Sequence, residues 1–461
     1  MTKRDLTPLF KPKNVAIIGA SADPGKVGHI ILLNYLNEGY PGKIYLVNKN
    51  TAPILGRKVY GSVLEIKERL DSVVIAIPAA AVPEVLEECG KAKVRSVVLV
   101  SGGFSEVGNV ELQDQITAMA KKYDIALVGP NCLGIMNPRS RVNTLFLPAY
   151  KLSKPRIGGV SFIAQSGAVG SVILDLIEGE GFGLSKFVSY GNAADVDEVD
   201  LMEYLMNDDE TNVIVMYTEG IKRGKAFLEL ARKITKAKPV VILKAGRTEA
   251  GASAAHSHTA ALAGSYESHE AVFKQFGFTI ANDLTDLLYY AKIFESEKAP
   301  QGNRIAIITN GGGAGVLTTD AISSSKYLRL AELSEASKKA LSKTMPLLVN
   351  IRNPLDLAGD AGDKRYHDAL YPIINDPNVD MVIVIILFQT PGADSKLAAE
   401  IIGLKEIMAK PMITIATGTQ YTEMHKVMME SSGLPVYDSP RAAAMALEAL
   451  FRYYAYKNHK E

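Results

Sequence analysis

The sequence predicts an α/β protein made of three parallel-sheet domains. Short apolar runs ending in Gly, Pro or Asn alternate with helical stretches along the whole chain. The 461 residues are enough for about three domains of ordinary size. One strand–glycine loop–helix opening also occurs twice: Gln165-Ser166-Gly167-Ala168-Val169-Gly170 matches Asn310-Gly311-Gly312-Gly313-Ala314-Gly315 position by position. Asp175 and Asp320 follow at the same offset, so the second and third domains read as duplicates.

In chain order, "NVAIIGAS" predicts a strand over Val15–Ile18, a turn, and a helix from Val27 to Leu36. "KIYLVN", "SVVIAIP", "RSVVLVSGG" and "IALVGPN" add strands; "AAVPEVLEECGKA" and "VELQDQITAMAKKY" add helices. This alternation covers a parallel sheet on both faces and makes residues 1–140 a Rossmann-like domain. "NPRSRVNTLFLPAYKLSKPRIGG" lacks periodicity and reads as a connection. The second domain, 150–298, runs through "GVSFIAQSGAVGSVILDLIE", "KFVSYGNAADVD", "VIVMYTEG" and "PVVILKAG", with the helix "KAFLELARKITKA". Val240 to Leu243 in it read as a buried strand. The linker "ESEKAPQGN" leads to the third domain, 303–461, with the strands "RIAIIT", "MVIVIILF" and "MITIATGT". The duplicated pair is taken as flavodoxin-like.

Composition excludes several classes of function. Hydrophobic residues are 47% and charged residues 22%, as in soluble globular proteins. A net charge of +1 gives no footprint for nucleic acid or acidic lipid. Cys89 and Cys132 are too few for a disulfide framework and fit a reducing compartment. No run approaches about 18 apolar residues, and the start has no apolar signal core. A cytoplasmic protein without membrane, nucleic acid or resident metal is expected. Cys132, in "GPNCLG", reads as structural.

Chemistry concentrates at strand ends. "IIGASADPGKVG" places glycines at a helix start, where free N–H groups and the helix dipole favour phosphate. It fails the dinucleotide fingerprint, and the next strand ends in Asn48-Lys49 where that fingerprint needs an acid. It also fails as a P-loop, with Ala20 for the first glycine and Val27 for the Ser/Thr. A phosphorylated nucleotide that is neither NAD nor hydrolysed ATP is implied. Coenzyme A, with its 3′-phosphate facing Lys49, fits; a purely structural glycine turn is the alternative. In the second domain, Gln165, Ser166, Gly167 and Ala168 open a helix at a strand end, a site sized for one phosphate. "VMYTEG" delivers Glu219 to the same sheet edge, as a functional carboxylate or a solvated strand end. "KAGRTEAGASAAHSHTAALAG", Lys244 to Gly264, is built of small residues that neither fill a core nor fix one conformation, yet it carries His256 and His258. An imidazole is a competent nucleophile toward phosphorus, and Glu219 could fix its tautomer. A surface histidine is the alternative.

Taken together and in order, "GASADPGKVG", "SGGFSE", "GPNCLG", "FIAQSGA", "SYGNAAD", "YTEG", "KAGRTEAG" with "SHT" and "LAG", "TNGGGAGV" and "NPLDLAGDA" resemble a known family. It is the alpha subunit of the nucleoside-diphosphate-forming acyl-CoA synthetases, especially the archaeal ADP-forming acetyl-CoA synthetases, relatives of succinyl-CoA synthetase. The resemblance spans essentially the whole chain; each motif alone is weak. It implies a ligase that converts acyl-CoA, ADP and phosphate into acid, CoA and ATP through an acyl phosphate and a phosphohistidine, with acetate or a similar small acid as substrate. The "SHT" element makes His258, and not His256, the phosphorylated residue, and "YTEG" makes Glu219 its stabiliser. Ser166, Gly167 and Ala168 would bind phosphate, and Gly191 and Asn192 would form the substrate loop. Gly19, Ala20, Ser21, Lys26, Asn48, Lys49, Pro78 and Asn131 would face coenzyme A. The sequence departs from the family at His256, where a small residue is usual, and at Ala260, where glycine is common. With no ATP-grasp or P-loop segment in the chain, the resemblance implies that ADP/ATP and Mg bind a separate ATP-grasp beta subunit in an alpha2beta2 assembly. Gly311 in place of Ser166 leaves the third domain a structural or assembly role. A CoA-binding sensor or interaction module without catalysis is the alternative. An NAD-dependent oxidoreductase is opposed by Asn48.

Overall fold

The computed structural model describes residues 4–152, 154–253 and 265–458. The chain divides into two compact units, Met1–Glu178 with Gly183–Leu284, and Gly179–Phe182 with Thr285–Glu461.

The first unit holds two sheets. One is fully parallel, in spatial order Val59–Tyr60, Lys43–Val47, Asn14–Ile18, Ser72–Ile75, Ser96–Leu99 and Ala126–Val128. In chain numbering this is 3-2-1-4-5-6, the Rossmann order. Successive residues point to opposite faces, and both faces are packed. Val15 and Ile17 enter one core, while Ala16 and Ile18 enter the other with Leu86, Cys89, Ile116 and Ala120. That double burial is why these strands read as unbroken apolar runs.

The second sheet runs Thr279–Ile280, Val240–Lys244, Val213–Thr218, Ile157–Ala164 and Leu184–Ser189, all parallel. Counted from its own first strand the order is 5-4-3-1-2, which is the flavodoxin order read from the other side. Two further strands, Gly134–Asn137 and Val142–Asn143, close the far edge antiparallel. Val142–Asn143 lies in the stretch that shows no periodicity and Gly134–Asn137 leads into it; strands of two and four residues are too short to display a period. The sequence boundary near 140 therefore falls inside a hairpin of the second sheet.

One core spans both sheets. Leu6, Leu9 and Phe10, from the first turn of helix, are fully buried in it beside Val188, Leu201 and Ile214. Phe10 stacks on Tyr204 with ring centroids 5.0 Å apart.

The second unit repeats the plan. Its order is Arg329–Leu330, Arg304–Thr309, Met381–Ile385, Met412–Ile415 and Val436–Tyr437, again 2-1-3-4-5, with Leu355–Asp356 pairing the first strand further along. Helix Leu284–Ser296, which the sequence places in the second domain, belongs largely to this unit: the buried Lys292 donates to Glu430 at 2.6 Å and to the Val436 carbonyl at 2.9 Å.

The two sheets of the first unit are stitched at their carboxyl ends. The amides of Asn192, Ala194 and Val196 donate to the carbonyls of Pro130, Gly129 and Leu127, each at 3.0 Å. Gly191 makes this approach possible. It has φ +54°, and a Cβ there would lie 2.3 Å from the carbonyl oxygens of Pro130 and Asn131. Gly191→Ala is expected to lower the first unit's stability by more than about 1 kcal/mol, seen as an earlier first transition in thermal unfolding. Gly224→Ala, with nothing within 4 Å of the added methyl, is expected to leave it unchanged or slightly raised. Equal shifts for the two would contradict the assignment.

Candidate active site

In doubly wound sheets ligands gather where the strand order reverses, outside the carboxyl ends of the strands. The first unit has a cavity at each of its two reversal points.

In the first sheet this point lies between Asn14–Ile18 and Ser72–Ile75. A cleft of about 810 Å³ opens there, lined by Gly19, Ser21, Lys26, Asn48, Lys49 and Pro78 among others. Gly19 has φ +89°, and a Cβ would meet the Ala76 carbonyl oxygen at 2.2 Å, so only glycine turns the chain here. Helix Val27–Asn37 starts beside it, and its N-cap, Lys26, makes no side-chain cap. The first amides of the helix thus keep their donors for an anion. Asn48 is turned inward: its amide donates to the Ala20 carbonyl at 2.7 Å, and its side-chain oxygen accepts from the Asn50 amide at 3.0 Å. Ala20 is fully buried behind the cleft and touches it only through this bond.

In the second sheet the reversal lies between Ile157–Ala164 and Val213–Thr218. A pocket of about 350 Å³ sits there, lined by Ser166, Gly167, Ala168, Gly191, Asn192 and Glu219. Asn131, expected at coenzyme A, lines this pocket instead. Helix Gly167–Gly179 begins directly after the strand. The Ser166 hydroxyl oxygen accepts from the Val169 amide at 3.3 Å. Its proton, with the amides of Gly167 and Ala168, is left to face an anion.

Gln165 ties the two strand ends together. Its side-chain oxygen accepts from the amides of Glu219 at 2.8 Å and Gly220 at 3.3 Å, and from the Thr218 hydroxyl at 3.2 Å. This fixes Glu219, which is 6% exposed, in the lining of the pocket. Burial and the neighbouring Glu219 push the Tyr217 phenol up to about 12, so it stays a donor to that carboxylate, at 3.4 Å. Burial lowers the Lys244 ammonium from its usual range, and Glu219 opposes the shift. The buried Cys132 thiol is pushed up to about 12 by desolvation, which removes its nucleophilic form. His256 and His258 lie outside the described residues.

Three further residues stand here that the sequence analysis assigns no role. Lys222 stands three positions beyond Glu219, lines the pocket, and donates to the carbonyls of Asn192 at 2.5 Å and Ala193 at 3.2 Å. Glu106, in "SGGFSE", accepts from the Asn192 amide at 2.6 Å and from the Gly103 and Phe104 amides. Burial raises its pKa, but these bonds outweigh it and hold the carboxyl below its ordinary range. Glu198, 1% exposed, accepts from the Lys222 amide at 3.1 Å. The side chain of Asn192 is thus spent on the loops around it, through Glu106 and through Gln113 at 3.0 Å.

The second unit keeps this architecture without its polar groups. Asn310 occupies the place of Gln165, its side-chain oxygen accepting from the Leu387 amide at 2.9 Å. Strand register then sets Leu387 where Glu219 stands, and Gly311 where Ser166 stands. A Cβ on Gly311 would meet Leu387 Cδ1 at 2.2 Å, so the leucine fills the space over this helix start.

Three family models match the chain: a CoA binding domain over residues 13–138, a succinyl-CoA ligase like flavodoxin domain over 157–294 and a ligase-CoA domain over 305–453. The acetate–CoA ligase [ADP-forming] II subunit alpha of Pyrococcus furiosus is 40% identical, the match covering 96% of both chains. The acetate–CoA ligase [ADP-forming] of Methanocaldococcus jannaschii is 41% identical over 96% of this chain and 62% of its own length. The solved Ca. Korarchaeum cryptofilum dinucleotide forming acetyl-coenzyme A synthetase 1, in complex with phosphate and ADP, superposes with a TM-score of 0.92 at 34% identity, covering 98% of this chain and 97% of that one. Each relative is named as a ligase or synthetase, which gives the non-catalytic alternative no support.

Burial, and Asp197 next to it, raise Glu198 to about 7. The unfolded chain releases that proton near about 4.3, so folding binds it between these values. Stability from this group is full below about pH 4.3 and declines as pH rises to about 7. Glu198→Gln is expected to flatten that part of the decline in urea midpoints measured from pH 4.5 to 7.5. An unchanged slope would show that Glu198 is ionised in the fold.

Proposed function

The chain belongs to the ADP-forming acetate–CoA ligases and matches their alpha subunits in extent; its reaction is acyl-CoA + ADP + phosphate ⇌ acid + CoA + ATP, and we propose that its residues divide the work as follows. Coenzyme A occupies the 810 Å³ cleft, its phosphates beside Lys26, Lys49 and the start of helix Val27–Asn37. Gly19, Ser21 and Pro78 form the walls, and Ala20 with Asn48 fixes the turn behind them. Inorganic phosphate sits at Ser166, Gly167 and Ala168 in the adjoining pocket.

A phosphate oxygen attacks the acyl carbon. The C–S bond breaks, the thiolate of CoA leaves, and an acyl phosphate remains at the helix start. Gly191 and Asn192 form the substrate loop and keep the acyl group against that phosphate. The neutral imidazole of His258 then attacks phosphorus, and the carboxylate leaves. Glu219 accepts the imidazole's other N–H and stabilises the positive phosphohistidine. The terminal phosphate oxygen of ADP finally takes the phosphoryl group, giving ATP and a neutral histidine. The nucleotide and its Mg belong to a separate ATP-grasp beta subunit, in a cytoplasmic alpha2beta2 assembly whose acid is acetate or a similar small one. The third domain serves assembly, since Gly311 and Leu387 stand where Ser166 and Glu219 do the chemistry. One observation supports this reading: the helix start at Ser166, Gly167 and Ala168 and the buried Glu219 line one pocket, which shares Val100 and Phe146 with the cleft beside Lys26 and Lys49.

The test is phosphoenzyme mapping by mass spectrometry at alkaline pH, on the complex with its partner, after incubation with ATP. An alkali-stable phosphate on His258 is expected, absent from His258→Asn. Glu219→Gln is expected to slow turnover by about 10²-fold or more while leaving the KM for CoA unchanged. Phosphate that persists on His258→Asn would contradict the assignment.

A further inference from the structure

The loop that brings Gly191 and Asn192 to the pocket has a conformation its own residues do not favour. Gly191 has φ +54° and the buried Ala193 has φ +49°. Glycine takes that region freely, whereas alanine rarely enters it. A residue held there persists only where its surroundings impose the geometry, and such residues cluster at ligand clamps.

Lys222 imposes it here. Its ammonium donates to the carbonyls of Asn192 and Ala193. These two carbonyls belong to the peptide planes on either side of the Ala193 α-carbon. Holding both planes fixes the two dihedral angles between them. Lys222 is itself an exposed residue, and an exposed lysine ordinarily leaves its ammonium in water. The turn beneath this one is anchored from both sides. Gln165 accepts from the amides of Glu219 and Gly220, and Glu198 accepts from the amide of Lys222 at 3.1 Å. The next residue, Arg223, pairs with Asp197 and, at 2.8 Å, with Asp200. The lysine stem therefore starts from a fixed point, as a clamp must. Among the described residues that line the pocket, Lys222 is the only cation.

We infer that Lys222 is a positioning residue for the acyl half of the reaction: it fixes the Gly191–Ala193 loop while phosphate attacks the thioester. The inference rests on the proposed reaction, in which Gly191 and Asn192 form the substrate loop. Phosphorylation of His258 by ATP involves no acyl group and does not depend on the clamp.

The test uses the complex with its nucleotide-binding partner and reads the two halves separately. With acetyl-CoA and arsenate, an arsenate oxygen attacks the acyl carbon and CoA leaves as the thiolate. The acyl arsenate then hydrolyses to acetate and arsenate, so free thiol reports the acyl half. With ATP, phosphate on His258 reports the other half. Lys222→Met is expected to lower kcat for arsenolysis by about 10- to 100-fold, as a misplacement of about 1 Å does, while His258 still takes phosphate from ATP. Ala193→Gly added to Lys222→Met is expected to recover several-fold of that loss, because glycine adopts φ +49° without a clamp. Lys222→Gln takes the place of Lys222→Met if the latter fails to fold. Unchanged arsenolysis, both halves falling together, or no recovery with Ala193→Gly would overturn the inference alone. A parent complex that neither cleaves acetyl-CoA nor phosphorylates His258 would instead overturn the ligase reading.

Discussion

Three backbone hydrogen bonds between residues 127–130 and 192–196 hold the two sheets of the first unit in one frame. The bonds alone would allow many geometries. What selects one is the crowding around them. Gly191 brings its backbone against Pro130 and Asn131 where no side chain fits. Asp195 accepts from the Leu127 amide at 3.0 Å, and Asn192 reaches Glu106 and Gln113. Lys222 closes the loop from its other side through the carbonyls of Asn192 and Ala193. The pocket and the cleft meet at Val100 and Phe146 because of this seam. Reactions that pass a group between two bound substrates tolerate little misplacement; a shift of about 1 Å can cost about 100-fold in rate.

The duplicated domains separate the architecture from the chemistry. Gln165 and Asn310 do the same structural work, each joining the ends of the first and third strands of its own sheet through a side-chain amide. Two differences separate the frames: Gly311 supplies no hydroxyl where Ser166 has one, and Leu387 supplies no carboxylate where Glu219 has one, while filling the space over Gly311. A fold that persists while its site is exchanged is the general pattern for doubly wound domains.

Much of this was legible in the sequence, and the reason is positional. Strands buried on both faces read as apolar runs, and parallel topology brings every strand's carboxyl end to one edge. Ser166, Glu219 and Gly19 follow strand ends closely and Lys26 caps the next helix start, so chain order places them near a site. The short hairpin at 134–143 gave no signal because neither strand is long enough to alternate. Lys222, and the role of Glu106 within "SGGFSE", were hidden for another reason. Lys222 acts across 30 positions and Glu106 across 86; spacing along one chain does not encode such meetings. Ala20 and Asn131 were recognised as part of the coenzyme A stretch, yet one is buried behind the cleft and the other lines the neighbouring pocket.

In the proposed reaction, thioester cleavage by phosphate precedes phosphoryl transfer to His258 and does not require it. Arsenate in place of phosphate tests it most directly, because an acyl arsenate hydrolyses as soon as it forms. The complex carrying His258→Asn, given acetyl-CoA and arsenate without nucleotide, is expected to keep releasing CoA although it makes no ATP. Release that disappears together with His258 would contradict the claim.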